Sequence, residues 1–417
     1  MHVTYSNNTS FMSPFRTPEF QNTYGAAMGE LQSWGSKLAE PSSYNPLDFF
    51  QTGYNEGNAV TLSTGSDRSQ TFLSLASTNA EGIVENNTLD RYNISMRNTT
   101  DLIKDKLHMD LSAMYMNVRE RNMVAEGQYM NPIVPVYLIS PSYSLKTYQL
   151  YEMYDESRGF KTQYWPWGNS GIGMQNPYWI INRDNMVNHK DRFMISGGLT
   201  YDIAKGITLS GRAKIDHTSA LYEKKYSAST DGIFAGKYGF YEKNDETTRQ
   251  IYGDVMLNID KYFGDFSLTG ALGSSIQDVD YKYFSVGGDL NSVANKFTLS
   301  QLNISSIKPD ESIYHDQVQS VFATAQLGWK SRLYLDLTGR IDWASALAGT
   351  GHSSVAYPSV GLTGILTDLI PGIKNNVLTF LKVRGSYSEV GNAPKRFVPF
   401  QPIPTATSSL SGQSRGR

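Results

Sequence analysis

The chain alternates apolar and polar residues one by one through many segments of strand length. Between residues 107 and 115 the odd positions are Leu, Met, Leu, Ala and Tyr, whereas the even positions include His108, Asp110 and Ser112. Because successive side chains of a strand point to opposite faces, this segment predicts a strand with one apolar and one polar face. The same pattern recurs along most of the sequence, so the fold must place the two faces in different surroundings.

About thirteen strands are predicted in this way. Their predicted bounds are Val3–Phe11, Asn58–Ser66, Thr71–Asn79, Arg91–Thr100, Lys106–Val118, Arg192–Asp202, Ile207–His217, Gln250–Asp260, Phe266–Ile276, Gln317–Gly328, Leu333–Trp343, Tyr357–Leu366 and Leu381–Val390. Many of them reach the ~9–11 residues with which a tilted strand crosses a bilayer.

The connectors between these strands alternate between short and long. Short turns occupy 66–68, 202–206, 260–265 and 328–331, whereas the excursions 11–57, 119–191, 218–249 and 277–316 are long. Antiparallel outer-membrane barrels place short turns on the periplasmic side and long loops outside, so the alternation assigns each connector a side. In the connector 367–380, Pro371 and Gly372 with their flanking leucines predict a short interfacial helix.

Charge separates the two faces. One apolar face is formed by Phe193, Ile195, Gly197, Leu199 and Tyr201 and carries no charge. The apolar faces of the neighbouring strands carry none either. A Lys or Arg at the middle of a bilayer on such a face would cost ~2–4 kcal/mol. The opposite faces carry Arg192, Arg212, Lys214, Asp216, Asp254, Asp336, Arg340, Asp342, Lys382 and Arg384.

These patterns predict an all-β protein, a partial antiparallel transmembrane β-barrel with long extracellular loops and a polar lumen. The alternative is a soluble β-sandwich whose apolar faces pack inward. An odd strand number does not close a barrel made by one chain. We therefore expect residues 1–391 to be the N-terminal part of a larger barrel, and residues 392–417 to be an unfinished extracellular loop.

Composition excludes several other classes. The formal net charge is −2, so no overall field favours a nucleic-acid partner, and there are no cysteines. The mean hydropathy is −0.39, and no apolar run approaches the ~20 residues that a membrane helix needs. No secretory signal is present in residues 1–10.

Several short strings resemble the SusC/RagA class of TonB-dependent outer-membrane transporters, and their order and spacing match over nearly the whole chain. These strings are Val3-Thr4-Tyr5-Ser6, Phe20-Gln21-Asn22-Thr23-Tyr24-Gly25, Ser33-Trp34-Gly35-Ser36-Lys37, Phe49-Phe50-Gln51-Thr52-Gly53, Glu81-Gly82-Ile83-Val84, Arg91-Tyr92-Asn93, Tyr357-Pro358-Ser359-Val360-Gly361 and Gly385-Ser386-Tyr387-Ser388 with Gly391-Asn392.

The resemblance implies a 22-stranded barrel with a plugged lumen in the outer membrane of a Gram-negative, Bacteroidetes-like bacterium. It also implies active uptake of oligosaccharides or peptides, driven through the TonB–ExbB–ExbD complex, with a SusD-like surface lipoprotein as partner. The plug and TonB box that precede the first barrel strand in this class are not in the sequence, so energy coupling is assigned to none of its residues.

One aromatic group within the longest connector is a candidate for substrate contact. It consists of Tyr164, Trp165, Trp167, Tyr178 and Trp179. Flat aromatic faces stack on sugars or peptide side chains, and outer loops meet a ligand first. Alternatively, these rings pack the loop on itself, fix it against a lid protein or join an aromatic belt.

Two inward arginines, Arg212 and Arg340, are candidates for a substrate path, with lumenal ion pairs as the alternative. The six histidines are scattered without metal-ligand spacing, and no metal or cofactor is predicted. No nucleophile elbow, phosphate loop or dinucleotide motif is present, so we expect no enzyme. A passive porin and a secreted β-rich adhesin or structural protein remain the alternative functions.

Overall fold

A computed structural model describes residues 1–123, 127–168, 174–350 and 353–391. Within these ranges thirteen strands form one antiparallel sheet and follow one another across it in chain order. Two further short strands, Glu152–Asp155 and Phe160–Gln163, form a separate hairpin. The predicted fold class and the predicted number of sheet strands are confirmed.

The strands are β1 His2–Met12, β2 Gly53–Gly65, β3 Ser69–Glu81, β4 Thr88–Ile103, β5 Leu107–Arg121, β6 Glu152–Asp155, β7 Phe160–Gln163, β8 Asp184–Ala204, β9 Ile207–Ser227, β10 Gly239–Phe263, β11 Phe266–Asp289, β12 Lys308–Trp329, β13 Leu333–Ala344, β14 Ser354–Ile365 and β15 Lys382–Ser388. The α-helices are α1 Ile133–Leu138, α2 Pro177–Arg183 and α3 Leu366–Leu369. Helix α3 overlaps the start of the connector 367–380, where a short helix is predicted, and ends two residues before Pro371. No helix in the described ranges is both long enough and apolar enough to cross a membrane.

The apolar face of the sheet is exposed. Leu111 on β5 is 41% exposed, Ile195 on β8 is 52% exposed and Val255 on β10 is 55% exposed. In a soluble sandwich these side chains would be buried against a second sheet. The exposure therefore contradicts the sandwich alternative and agrees with an apolar face that contacts lipid.

Five strands extend far beyond their predicted bounds on the side of the long connectors. β8 begins at Asp184, β9 continues to Ser227, β10 begins at Gly239, β11 continues to Asp289 and β12 begins at Lys308. These segments were predicted as loops because polar residues and tyrosines occupy both faces there, as in the run Tyr222–Tyr226. Above the lipid, backbone pairing sustains a strand without any alternation of hydrophobicity, and the prediction was wrong for that reason.

Close packing of the chain distinguishes two compact units. The first comprises Met1–Tyr201, Arg212–Tyr252 and Val279–His315. It contains β1 to β5, the β6–β7 hairpin, α1 and α2, and three clusters of buried apolar residues.

The second unit comprises Asp202–Gly211, Gly253–Asp278 and Asp316–Arg417. In it, β12 to β15 place Ala325, Leu337, Val360 and Tyr387 side by side in one apolar row. On the opposite face, Nε2 of Gln326 donates to Asp336 Oδ1 at 2.6 Å. This unit shows the same division between an apolar and a polar face as the first.

Candidate functional site

Two long connectors of the first unit, residues 13–52 and the described residues of 122–183, pack on each other, and we call them the loop layer. Their apolar side chains, together with Val84 from the connector between β3 and β4, form a buried cluster, which we call the loop core. The loop core consists of Leu31, Phe49, Val84, Val136, Ile139, Leu145, Tyr148, Trp165, Tyr178 and Ile181. Burial of apolar area stabilises these connectors as a folded structure.

Two of the strings that carry the family resemblance contact each other in the loop layer. The amide of Gly25 donates to Ser36 O at 3.0 Å, and the amide of Gly35 donates to Gly25 O at 2.8 Å. Tyr24 and Lys37 form an isolated antiparallel bridge beside them. Strings that are separate in the sequence therefore form one structural feature.

A second pair of these strings meets where the loop layer joins the sheet. Nε2 of Gln51 donates to Glu81 Oε1 and to Gly82 O, both at 3.0 Å, and the amide of Gln51 donates to Ile83 O at 2.9 Å. A Cβ on Gly53 would lie 2.8 Å from Glu81 O, so only glycine allows this close approach. The contacts fix the entry of the chain into β2.

The five predicted aromatic residues lie together within the loop layer. Trp165 contacts Trp167 edge to face, with ring centroids 4.7 Å apart, and Tyr148 contacts Trp165 at 5.1 Å. Trp165 and Tyr178 are buried in the loop core and Trp179 is fully buried, whereas Tyr164 and Trp167 are half-buried. The buried rings stabilise the loop layer, and Tyr164 and Trp167 retain accessible surface for a ligand.

An N-terminal cap begins helix α2, which carries Trp179. Asn176 precedes the helix and its side chain accepts a hydrogen bond from the amide of Tyr178, and Pro177 occupies the first turn. The Asn176 amide group also donates to Tyr148 O at 2.8 Å and to Tyr164 O at 3.0 Å. One capping residue thus holds both the helix and the segment that carries the tryptophans.

A buried carboxyl lies where the loop layer meets β8. Asp184 Oδ1 accepts a hydrogen bond from Thr230 Oγ1 at 2.6 Å and one from the amide of Ser227 at 3.3 Å. Burial raises the pKa of Asp184 to about 8, although these two hydrogen bonds lower it. At neutral pH this carboxyl is therefore mostly protonated.

The β6–β7 hairpin carries the main ion pairs of the loop layer. Glu152 accepts hydrogen bonds from Lys161 Nζ at 2.8 Å and from Arg183 Nε at 2.5 Å. Burial alone raises the pKa of Glu152, but these hydrogen bonds outweigh it and hold that pKa below its ordinary value. The ionised pair connects the hairpin to the end of α2.

A polar hollow of about 280 Å³ opens in the loop layer. Its lining includes the hydroxyl-bearing residues Ser42, Ser43, Tyr44, Ser142, Tyr143 and Ser144, together with Asp48, Lys146 and Gln149. Asp48 and Lys146 are exposed and of opposite charge. This hollow was not predicted from the sequence, although the repeated Ser and Tyr residues at 42–44 and 142–144 were a signal for it.

The predicted inward residues lie on the polar face of the sheet. Arg340 donates from Nε to Asp342 at 2.6 Å and from Nη2 to Ser320 at 2.7 Å. Arg212 lies on the polar face of β9, where Asp216 binds Arg192 through two hydrogen bonds of 2.8 and 2.6 Å. Arg340 is thus held within a network, as in the ion-pair alternative.

Residues 136–413 match the family model described as "TonB dependent receptor-like, beta-barrel", which is two thirds of the chain. The chain belongs to this family. Receptors of this family are outer-membrane proteins of Gram-negative bacteria, and the resemblance drawn from the short strings is confirmed at the level of the family. No curated protein matches the chain.

Solved structures show the same fold. The RagAB peptide importer in its "closed-closed" state is 15% identical and gives a TM-score of 0.68, with 93% of this chain and 46% of that chain covered. The RagAB peptide transporter is 17% identical and gives a TM-score of 0.64, with 83% and 38% covered. This TonB-dependent receptor chain therefore spans less than half of the length of either structure.

Proposed function

We propose that this protein takes up peptides or oligosaccharides across the outer membrane by active transport. Membership in the TonB-dependent receptor family carries the proposal, because these proteins form barrels with a ligand-facing loop side. The energy would come through a TonB–ExbB–ExbD complex, and a SusD-like surface lipoprotein would cover the loop layer. Residues 1–391 would be the first part of the barrel, and residues 392–417, all of which lie outside the described residues, an extracellular loop.

Peptides are the favoured substrate class. The two RagAB structures are described as a peptide transporter and a peptide importer, and the fold is shared with them. In the hollow of the loop layer, Asp48 suits an ammonium group and Lys146 suits a carboxylate. A short zwitterionic peptide presents both groups, whereas a neutral oligosaccharide presents neither.

Half-buried aromatic residues extend this proposed contact site. The ring of Trp167 lies 4.9 Å from that of Tyr143, which lines the hollow, and Tyr164 lies beside Tyr148 with ring centroids 6.2 Å apart. An aromatic surface beside paired charges can bind apolar side chains of a peptide while the charges hold its ends. Arg212 and Arg340 remain candidates for a later part of the substrate path. No chemical step on the substrate is proposed.

The direct experiment measures uptake of fluorescent dipeptides and of neutral oligosaccharides by cells that make the protein. Active transport predicts uptake that stops when the tonB gene is deleted or when a protonophore collapses the proton gradient. Uptake that persists under both treatments would indicate a passive porin. Cell adhesion without any uptake would instead support the adhesin alternative.

Point variants then test the site. Lys146→Met and Asp48→Asn should each raise the half-saturating peptide concentration about three- to tenfold, since each removes one charge-assisted hydrogen bond. Lys37→Met is the matched control, because Lys37 is an exposed loop-layer lysine that does not line the hollow. Equal effects of Lys146→Met and Lys37→Met would contradict the site.

A further inference from the structure

Six strands of the first unit, β1 to β5 and β8, are paired so that their residues lie in rows across the sheet. On the exposed apolar face, one row consists of Tyr5, Val60, Leu75, Ile94, Tyr115 and Phe193. The next row toward the loop layer consists of Asn7, Asn58, Ser77, Tyr92, Asn117 and Asp191. The row after that consists of Thr9, Glu56, Asn79, Asp90, Arg119 and His189.

The lipid-facing surface therefore changes from apolar to polar between two successive rows on five of the six strands, and β4 carries the amphipathic Tyr92 at that step. Successive rows are two residues apart, about 7 Å along a strand. Tyr115 and Phe193 stand at the border, where aromatic side chains of membrane proteins concentrate. Because long loops of such barrels lie outside the cell, this border marks the outer leaflet of the membrane.

A hollow of about 620 Å³ lies on this face, directly above the border. Arg119 and His189 lie side by side in it, and Asp90 lies opposite Arg119 on the neighbouring strand. Tyr92 and Leu221 supply apolar surface, and Glu223 completes the far side. The hollow thus combines charged groups with apolar walls at the depth where lipid headgroups lie.

The carboxylates around the hollow are already hydrogen-bonded. Asp90 accepts from Asn79 Nδ2 at 2.7 Å. Glu223 accepts from Tyr241 Oη at 2.7 Å and from Lys225 Nζ at 3.1 Å.

The histidine is engaged as well, since His189 Nε2 lies 2.8 Å from Asn117 Nδ2. Arg119, in contrast, is exposed, and its side chain forms no hydrogen bond or ion pair within the described chain. Its guanidinium therefore has its donors available for an outside acceptor.

We infer that this hollow binds a phosphorylated glycolipid of the outer leaflet, with Arg119 as the phosphate ligand. A guanidinium offers two parallel donors that match two phosphate oxygens. The remaining lone pairs of Asp90 and Glu223 can accept hydroxyl groups of a sugar headgroup, and Tyr92 can lie against the sugar ring. The site is separate from the loop-layer hollow and does not depend on which solute is transported.

The test uses the complete protein in nanodiscs of phosphatidylcholine containing a small fraction of bis-phosphorylated lipid A. Native mass spectrometry measures how much lipid A stays bound. Arg119→Gln should lower the bound fraction about tenfold, the effect of losing a charged hydrogen-bond pair. Arg91→Gln is the matched control, because Arg91 is an exposed arginine at the same height on the opposite face of β4.

Several outcomes would overturn the inference. One is that Arg119→Gln and the unchanged protein retain equal amounts of lipid A, and another is that Arg119→Gln and Arg91→Gln lose equal amounts. A third is that dephosphorylated lipid A is retained as well as the phosphorylated form. A fourth is that inorganic phosphate displaces bound lipid A, which would make free phosphate the ligand. Arg119→Lys should retain an intermediate amount of lipid A, because lysine keeps the positive charge but cannot form the bidentate pair of hydrogen bonds. All variants should keep heat-modifiable gel mobility, which shows that the barrel has assembled, and unchanged peptide uptake.

Discussion

The indole nitrogen of Trp179 donates a hydrogen bond of 2.9 Å to the hydroxyl of Thr230, which itself donates to Asp184. All three residues are buried, with exposures of 0%, 2% and 2%. They belong to α2, to the connector between β9 and β10, and to the first position of β8. The loop layer is therefore attached to the strands by buried polar contacts as well as by its apolar core.

Replacing this tryptophan should loosen the loop layer. Trp179→Phe removes the hydrogen bond and leaves unfilled volume, so it should cost about 1–3 kcal/mol of loop-layer stability. Hydrogen exchange of the loop-layer amides measures that free energy. Trp34→Phe, at a position where the ring is 76% exposed, should change it by less than about 0.5 kcal/mol. Similar exchange in both variants would contradict the role of Trp179.

Asp184 should make the loop layer less stable as the pH rises. Its pKa is about 8 in the folded protein against an ordinary 3.8, so the folded state holds a proton that the unfolded chain releases. The free energy of unfolding should therefore fall between about pH 4 and pH 8 and level off above. Asp184→Asn keeps the acceptor oxygen and should remove this slope.

The measurement is the thermal midpoint of the loop layer, followed by tryptophan fluorescence across that pH range. Glu152 has a lowered pKa, and it contributes stability that is lost only as the pH falls below its ordinary range. The two carboxyls are thus separable by the direction of their pH dependence. An identical slope in Asp184→Asn and in the unchanged protein would show that another group controls it.

The start of β2 should tolerate no side chain larger than that of glycine. In Gly53→Ala the new methyl group would lie 2.8 Å from Glu81 O, which is backbone and cannot rotate away. We expect a loss of about 1–3 kcal/mol. Gly57→Ala, in the same strand, meets its nearest atom at 3.8 Å and should be nearly neutral. Thermal unfolding of the two variants compares them, and equal midpoints would contradict the close approach at Gly53.

The alternation of apolar and polar residues predicted the sheet, because a lipid bilayer requires that alternation in every strand that crosses it. Each of the thirteen strands of the large sheet was recognisable, since lipid requires an apolar residue at every second position. That requirement ends at the membrane border, so the upper part of β9, where Lys224 and Tyr226 alternate with other polar residues, was predicted as loop. The β6–β7 hairpin and α2 were missed for the same reason.

The contact site was predictable only in part. The aromatic residues were identified from their residue types, but composition does not distinguish a ring that packs inward from one that faces a ligand. Trp179 is buried because Asn176 and Pro177 begin a helix that turns it toward Thr230. The hollow joins residues about a hundred positions apart, such as Ser43 and Ser144, and only the folded loop layer shows that proximity.

A pair of arginine substitutions at adjacent positions of β5 tests which face of the sheet contacts lipid. Leu111 lies on the exposed apolar face, whereas the Ser112 hydroxyl lies 2.7 Å from that of Ser196 on the polar face. Leu111→Arg would place a charge against lipid at a cost of ~2–4 kcal/mol, and Ser112→Arg would place it toward water. Heat-modifiable protein in outer-membrane fractions reports assembly. We expect a marked loss of assembled protein for Leu111→Arg and a mild loss for Ser112→Arg, and equal losses would show that the apolar face does not contact lipid.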